Sequence, residues 1–188
     1  ILSFADGILS MIPKSGNRFS DQDHAQTKIS SMDVETTFKV QELQARYIQA
    51  LDDDRLEDWP NFFTDSCRYL VTTADNLAQG MPLGMIYATS RAMLRDRVRS
   101  LRDANVYEAQ RYRHMIAPPV IERGEGGVVR AQTSFMVVRI MHTGETMLFV
   151  TGRYDDRILL DGPEAPRFVE KTVVLDSRQI DTLLAIPI

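Results

Sequence analysis

Apolar positions fall into a helical rhythm from Val34 and change to a two-residue rhythm in the second half of the chain. The spacing of Phe38, Leu43, Tyr47, Ile48 and Leu51 predicts a helix over Val34–Asp52 with one apolar face. The acidic triplet Asp52-Asp53-Asp54 ends it and reads as a solvated turn, since no calcium-loop spacing with a closing Glu follows. A shorter helix from Leu56 to Phe63 carries Trp59, Phe62 and Phe63 as core anchors, and Arg68–Thr73 reads as a strand. Gly80 and Pro82 mark Asn76–Pro82 as a loop. Thr89 or Ser90 caps the next helix, whose apolar positions Leu94, Val98 and Leu101 stand at i, i+4 and i+7.

Strands dominate after that. Arg113–Ile121 is one. The turn Gly124–Gly127 leads into Val128–Met141, where Ala131, Thr133, Phe135 and Val137 alternate with Gln132, Ser134 and Met136. Thr143-Gly144 turns the chain into Thr146–Leu159, with Met147 and Phe149 on one side and Leu148 and Val150 on the other. A loop over Asp161–Pro166 precedes a last strand, Phe168–Leu175. Helices grouped ahead of hairpin-linked strands indicate an α+β class. Residues 34–188 read as one domain, a size that can bury a sizeable core. Residues 1–33 read as a peripheral extension: ILSFADGILSMIPK is interrupted by Asp6 and Gly7 with no preceding basic cluster, so no secretory signal is expected. Met32 is a candidate natural start.

Composition narrows the function classes. Hydrophobic residues make up 44% and charged residues 26%, as in an ordinary globular protein, and the net charge of -4 does not attract nucleic acid. Cys67 is the only cysteine, which excludes an internal disulfide and fits a reducing, cytoplasmic setting. No apolar run is long enough to span a membrane.

Against that acidic background, the block SRAMLRDRVRSLRDANVYEAQRYRHMI holds seven arginines: Arg91, Arg95, Arg97, Arg99, Arg102, Arg111 and Arg113, the last followed by His114. Arg91, Arg95, Arg99 and Arg102 share a face beside the apolar stripe of one helix. A solvated face, an anion or nucleic-acid site and a partner interface all account for such a block. Sparse interleaved aromatics, Tyr107 and Tyr112, weigh against nucleic acid. Planar guanidinium forks suit ion pairs within the chain or across an interface.

Catalytic sites are scarce. One cysteine and the scattered His24, His114 and His142 offer no zinc motif and cannot supply the two Cys and two His of a Rieske cluster. A two-histidine-one-carboxylate iron site would need His114, His142 and an acid, but His142 sits beside a turn. The phosphate-loop and Gly-x-Ser-x-Gly patterns are absent. His114 is the strongest acid–base candidate, weighed against a plain hydrogen-bonded strand residue; no single carboxylate stands out as its partner, although Asp75 and Asp96 lie close in sequence to the same block.

The arginine block resembles the small (β) subunit of aromatic-ring-hydroxylating dioxygenases, in the branch acting on aromatic acids of the anthranilate or terephthalate type. Three further segments agree in order: LQARYIQALDDDRLEDWPNFFTDSCRYLV, FVTGRYDD and FVEKTVVLDSRQIDTLLAIPI. The resemblance implies a cone-shaped, nuclear-transport-factor-2-like fold, a strongly curved, mostly antiparallel sheet wrapped around N-terminal helices. It implies a self-associating trimer bound to the large (α) subunit in a hexamer, alpha3beta3. The α subunit would carry a Rieske [2Fe-2S] cluster and a mononuclear Fe(II), with electrons from NAD(P)H through a reductase. The complex would insert both atoms of dioxygen into the ring to give a cis-dihydrodiol. This chain would hold no cofactor or metal of its own and have a structural role. Arg91, Arg95, Arg97, Arg99, Arg102, Arg113 and His114 would be its interface candidates. Ala117-Pro118-Pro119-Val120 departs from the family's Ser-Asn-Val-like pattern, and two prolines there suggest an edge or a bulge. The alternatives are a stand-alone cone-fold dehydratase or isomerase using His114, and a module that binds a small aromatic ligand.

Overall fold

A computed structural model describes residues 33–81, 84–104, 108–177, 184 and 186–188. Of the expected extension over residues 1–33, all but Asp33 lies outside the described residues, as do Pro82 and Tyr107. Helix α1 spans Val34–Asp52. The Asp33 carboxylate caps it by accepting from the Thr36 amide at 2.7 Å, a bond that holds this exposed acid below its ordinary value. Its buried stripe is Val40, Leu43, Gln44, Tyr47, Ile48 and Leu51. Phe38, placed on the apolar face by its spacing, is instead 63% exposed, and Val40 takes the inward position.

The expected second helix is a single 3-10 turn, Trp59–Phe62, which delivers the chain into β1, Phe63–Thr73. The segment read as a loop opens with a short helix α2, Ala74–Ala78, capped by the Thr73 side chain. Strand β2, Ile86–Ala88, follows, then helix α3, Arg91–Asp103, capped by Ser90. Leu94, Val98 and Leu101 are buried beneath α3, as their spacing predicts.

The strand run contains one break that sequence periodicity passed over. Arg113–Ile121 is not one strand but parts of two, β3 (Gln110–Ile116) and β4 (Val120–Arg123), which occupy successive stretches of the same flank of β5 (Val128–Met141). Pro118 and Pro119 lack the amide protons a continuous ladder needs, so the edge strand steps out and re-enters between them. Strands β6 (Thr146–Leu159) and β7 (Arg167–Leu175) complete an open sheet ordered β2-β1-β7-β6-β5-β3, antiparallel except where β1 runs parallel to β7.

Bulges curve this sheet. Register shifts occur between Val137 and Val138 opposite β6, and between Arg157 and Ile158 opposite β7. The first makes Phe149 an extra residue and reverses the alternation of β6. Leu148 is therefore 62% exposed while Val150 is 2% exposed, although strict alternation puts them on one side. The concave face closes over α1. Tyr47 lies edge-on to Phe62, Phe63, Tyr154 and Phe168 at 5.4–6.5 Å. The result is a curved, non-closed α+β fold of the nuclear-transport-factor-2-like kind.

Candidate functional site

Two polar constellations are buried inside the cone. The first is built on the end of α1. Gln44, Ile48 and Asp52 stand at i, i+4 and i+8, so the apolar stripe ends on a carboxylate pointing inward. Asp52 is therefore not part of a solvated turn: its side chain is 4% exposed. One oxygen lies 2.6 Å from His114 Nδ1, and both accept from the His114 backbone amide at 3.1 and 3.2 Å. The partner of His114 is thus Asp52, not Asp75 or Asp96. Arg113, largely exposed, contributes a guanidinium 3.6 Å from the same carboxylate.

This geometry clamps the edge strand β3 to α1. With Nδ1–H given to Asp52, Nε2 is the nitrogen left for chemistry, and it is sealed from solvent without a hydrogen-bond partner. Tyr112 lies edge-on to the imidazole and stacks on Phe149, over which the Arg139 guanidinium sits at 4.7 Å. Asp52, Arg111 and Arg113 line a shallow cavity of about 380 Å³ outside the pair, but His114 does not reach its wall. A general base must reach its proton directly or through one water. The pair is built as a clamp, and the dehydratase or isomerase alternative is not favoured.

The second constellation joins three strands to α1. Lys171 Nζ, fully buried, donates to both oxygens of Asp156 at 3.1 Å. Gln44 donates to the same carboxylate at 3.1 Å and to Thr133 Oγ1 at 2.9 Å. The ammonium faces the rings of Tyr154, Phe168 and Tyr47 at 3.6, 4.6 and 4.7 Å. Burial pushes the Asp156 carboxyl up and the Lys171 ammonium down, and each charge partly restores the other. The sequence reading missed both residues. Strand parity was the available signal: Asp156 shares the inward set of Tyr154 and Ile158, and Lys171 shares that of Val173 and Leu175.

The arginines of the arginine block divide by where their donors go. Arg91 donates to the Phe63 carbonyl and pairs with Asp65 and Glu164, tying α3 to the start of β1 and to the loop between β6 and β7. Arg97 donates to the Leu184 carbonyl at 2.9 Å. Arg102 chelates Asp54 and Glu57, which together hold its guanidinium well above the ordinary value. Arg95 and Arg99 stay exposed, and among the described residues Arg99 meets only Asp96, at 4.0 Å. They flank a groove of about 430 Å³ over Val98 and Pro60. His142 is more than half exposed and lies 3.0 Å from Glu108. Cys67 is buried, which pushes its thiol up. Among the described residues no three His, Cys, Asp or Glu side chains converge on a point that could hold a metal ion. No described helix is long and apolar enough to cross a membrane.

The family model for the ring hydroxylating beta subunit matches residues 46–182. The chain belongs to this β-subunit family. It is 46% identical over 145 residues to subunit beta 1 of the terminal oxygenase component of terephthalate 1,2-dioxygenase from a Comamonas species, covering 77% of this chain and 93% of that relative. It is 40% identical over 156 residues to the anthranilate 1,2-dioxygenase small subunit of Burkholderia cepacia, covering 83% and 96%. A crystal structure from Novosphingobium aromaticivorans, of a β subunit ascribed to an aromatic-ring-hydroxylating dioxygenase, superposes with a TM-score of 0.75 at 39% identity, covering 82% of this chain and 97% of that one.

For this β subunit the matched residues take in the Asp52–His114 clamp, the Lys171–Asp156 pair and all of α3. Both charged pairs therefore lie within the matched stretch, while Gln44, which donates to Asp156, precedes it. The N-terminal residues of α1 precede the matched stretch.

Proposed function

We propose that this chain is the non-catalytic β subunit of a dioxygenase that hydroxylates an aromatic acid, acting in aromatic-compound catabolism. The observation that carries this reading is the family match over residues 46–182 with near-complete coverage of the terephthalate and anthranilate relatives. The internal chemistry supports it. The best acid–base residue of the chain is spent as a strand clamp. One cysteine cannot provide the donor set of a Rieske cluster, so residues of this chain do not fit that group. The Rieske cluster and mononuclear iron belong to the large subunit in this account, and NAD(P)H supplies electrons through a reductase. The assembly is a hexamer of three large and three small subunits in the cytoplasm.

The interface role falls chiefly to the arginines that stay most exposed. Arg95 and Arg99 on α3, with Arg113 on the β3 edge, present exposed guanidinium groups to a partner. Arg91, Arg97, Arg102 and His114 support that surface from within. Co-expression with the large subunit tests the proposal. The two chains co-elute at equal stoichiometry, and charge reversal at Arg95 and Arg99 weakens the complex. A large subunit that is fully active while this chain elutes alone would overturn it.

A further inference from the structure

A cavity of about 500 Å³ opens between α1, the 3-10 turn and the loop joining β6 to β7. It is unrelated to either buried polar group. Its volume lies within the range of small-molecule sites. Its lining combines the apolar Leu43, Phe62 and Pro166 with the guanidinium groups of Arg46 and Arg167.

The charges around it are unequally satisfied. Asp58 is taken by Arg55 at 2.8 Å. Glu164 is shared between Arg91 at 3.2 Å and Arg167 at 3.5 Å. Arg46 has no ion pair among the described residues, although Glu42 stands one turn away on the same helix. Arg167 Nε faces Glu164 at 3.5 Å in an ion pair that lacks hydrogen-bond geometry.

We propose that this cavity binds a small organic carboxylate, held by the guanidinium groups of Arg46 and Arg167 with its apolar body against Phe62, Leu43 and Pro166. Two guanidinium groups set beside a hydrophobic wall match a carboxylate on a ring or short chain better than an inorganic anion, which has nothing to place against Phe62. Burial pushes the Arg167 guanidinium below its ordinary value, and the nearby Arg91 and Arg46 add to that push against the pull of Glu164. An anion at this point relieves the repulsion. The site is independent of the subunit role and stands or falls separately from it.

The test uses the full chain, with benzoate as probe and benzamide as its uncharged control, followed by calorimetry or ligand-observed NMR. Benzoate binds saturably and benzamide does not. Arg46→Glu weakens benzoate binding about tenfold or more, the scale of one charge-assisted contact reversed, while Arg46→Lys retains part of it. Arg46 is exposed, so neither variant threatens the fold. No saturable binding up to about 10 mM, where even a millimolar site would fill, overturns the proposal. So does benzoate affinity that is unchanged in Arg46→Glu. If benzoate fails to bind but Arg46→Glu releases the large subunit, the carboxylate belongs to a partner side chain and the small-molecule site is refuted.

Discussion

Replacing Lys171 with Met removes a fully buried ammonium and leaves Asp156 without its counter-ion. Breaking one partner of a buried pair costs about 3–5 kcal/mol, because the remaining charge is uncompensated. Gln44 still donates one hydrogen bond to Asp156, which offsets part of this, while three cation–ring contacts are lost. A net loss near 4 kcal/mol corresponds to a fall in Tm of roughly 8–16 °C for a domain of this size. The penalty is also pH-dependent. Burial raises the Asp156 carboxyl, and removing Lys171 deletes the contact that draws it back down. A carboxyl raised in the folded state contributes stability that is fully present below its unfolded value and lost as pH rises through the folded one. The gap between Lys171→Met and the parent chain therefore narrows as pH falls and widens towards neutrality. Thermal unfolding of both proteins across pH measures this. The double variant Lys171→Met with Asp156→Leu recovers most of the loss, since it removes both buried charges. A single variant within about 1 kcal/mol of the parent at neutral pH refutes the reasoning.

Asp52→Ala removes the acceptor of both His114 donors and lowers stability by about 2–4 kcal/mol, read by denaturant unfolding; loss of turnover in a fully assembled complex carrying His114→Ala would instead restore a catalytic reading. Gly152→Ala places a Cβ 2.2 Å from the Val174 carbonyl oxygen, so the β6–β7 ladder shifts and stability falls by about 1–3 kcal/mol. Arg102→Ala frees Asp54 and Glu57 at the α1–α3 junction, but the side chain is one-third exposed and the loss stays near 1 kcal/mol.

The first helix, the capped arginine helix and the long strands were legible because each buries one face, and burial writes a period into the chain. Val34–Asp52 and Val128–Met141 coincide with the observed elements. Periodicity could not register the proline step between β3 and β4, where apolar residues continue but ladder donors are missing. It also could not register the bulge at Phe149, which reverses inside and outside within one strand. The buried acids were hidden for a related reason. Asp52 sits in a run of three aspartates and Asp156 follows Asp155, so composition reads both as solvated, whereas helical and strand phase turn one member of each inward. The family resemblance rested on four ordered segments, and the family match spans the residues that contain most of them.

The most direct test of the subunit assignment is reconstitution of ring hydroxylation from the large subunit, its reductase and this chain. The large subunit is expected to reach full, stable activity only with the chain present, and assembled complexes carrying His114→Ala to turn over within about threefold of the parent, a difference under about 1 kcal/mol in barrier. Full and lasting activity of the large subunit without the chain, or an assembled complex silenced by His114→Ala alone, would contradict it.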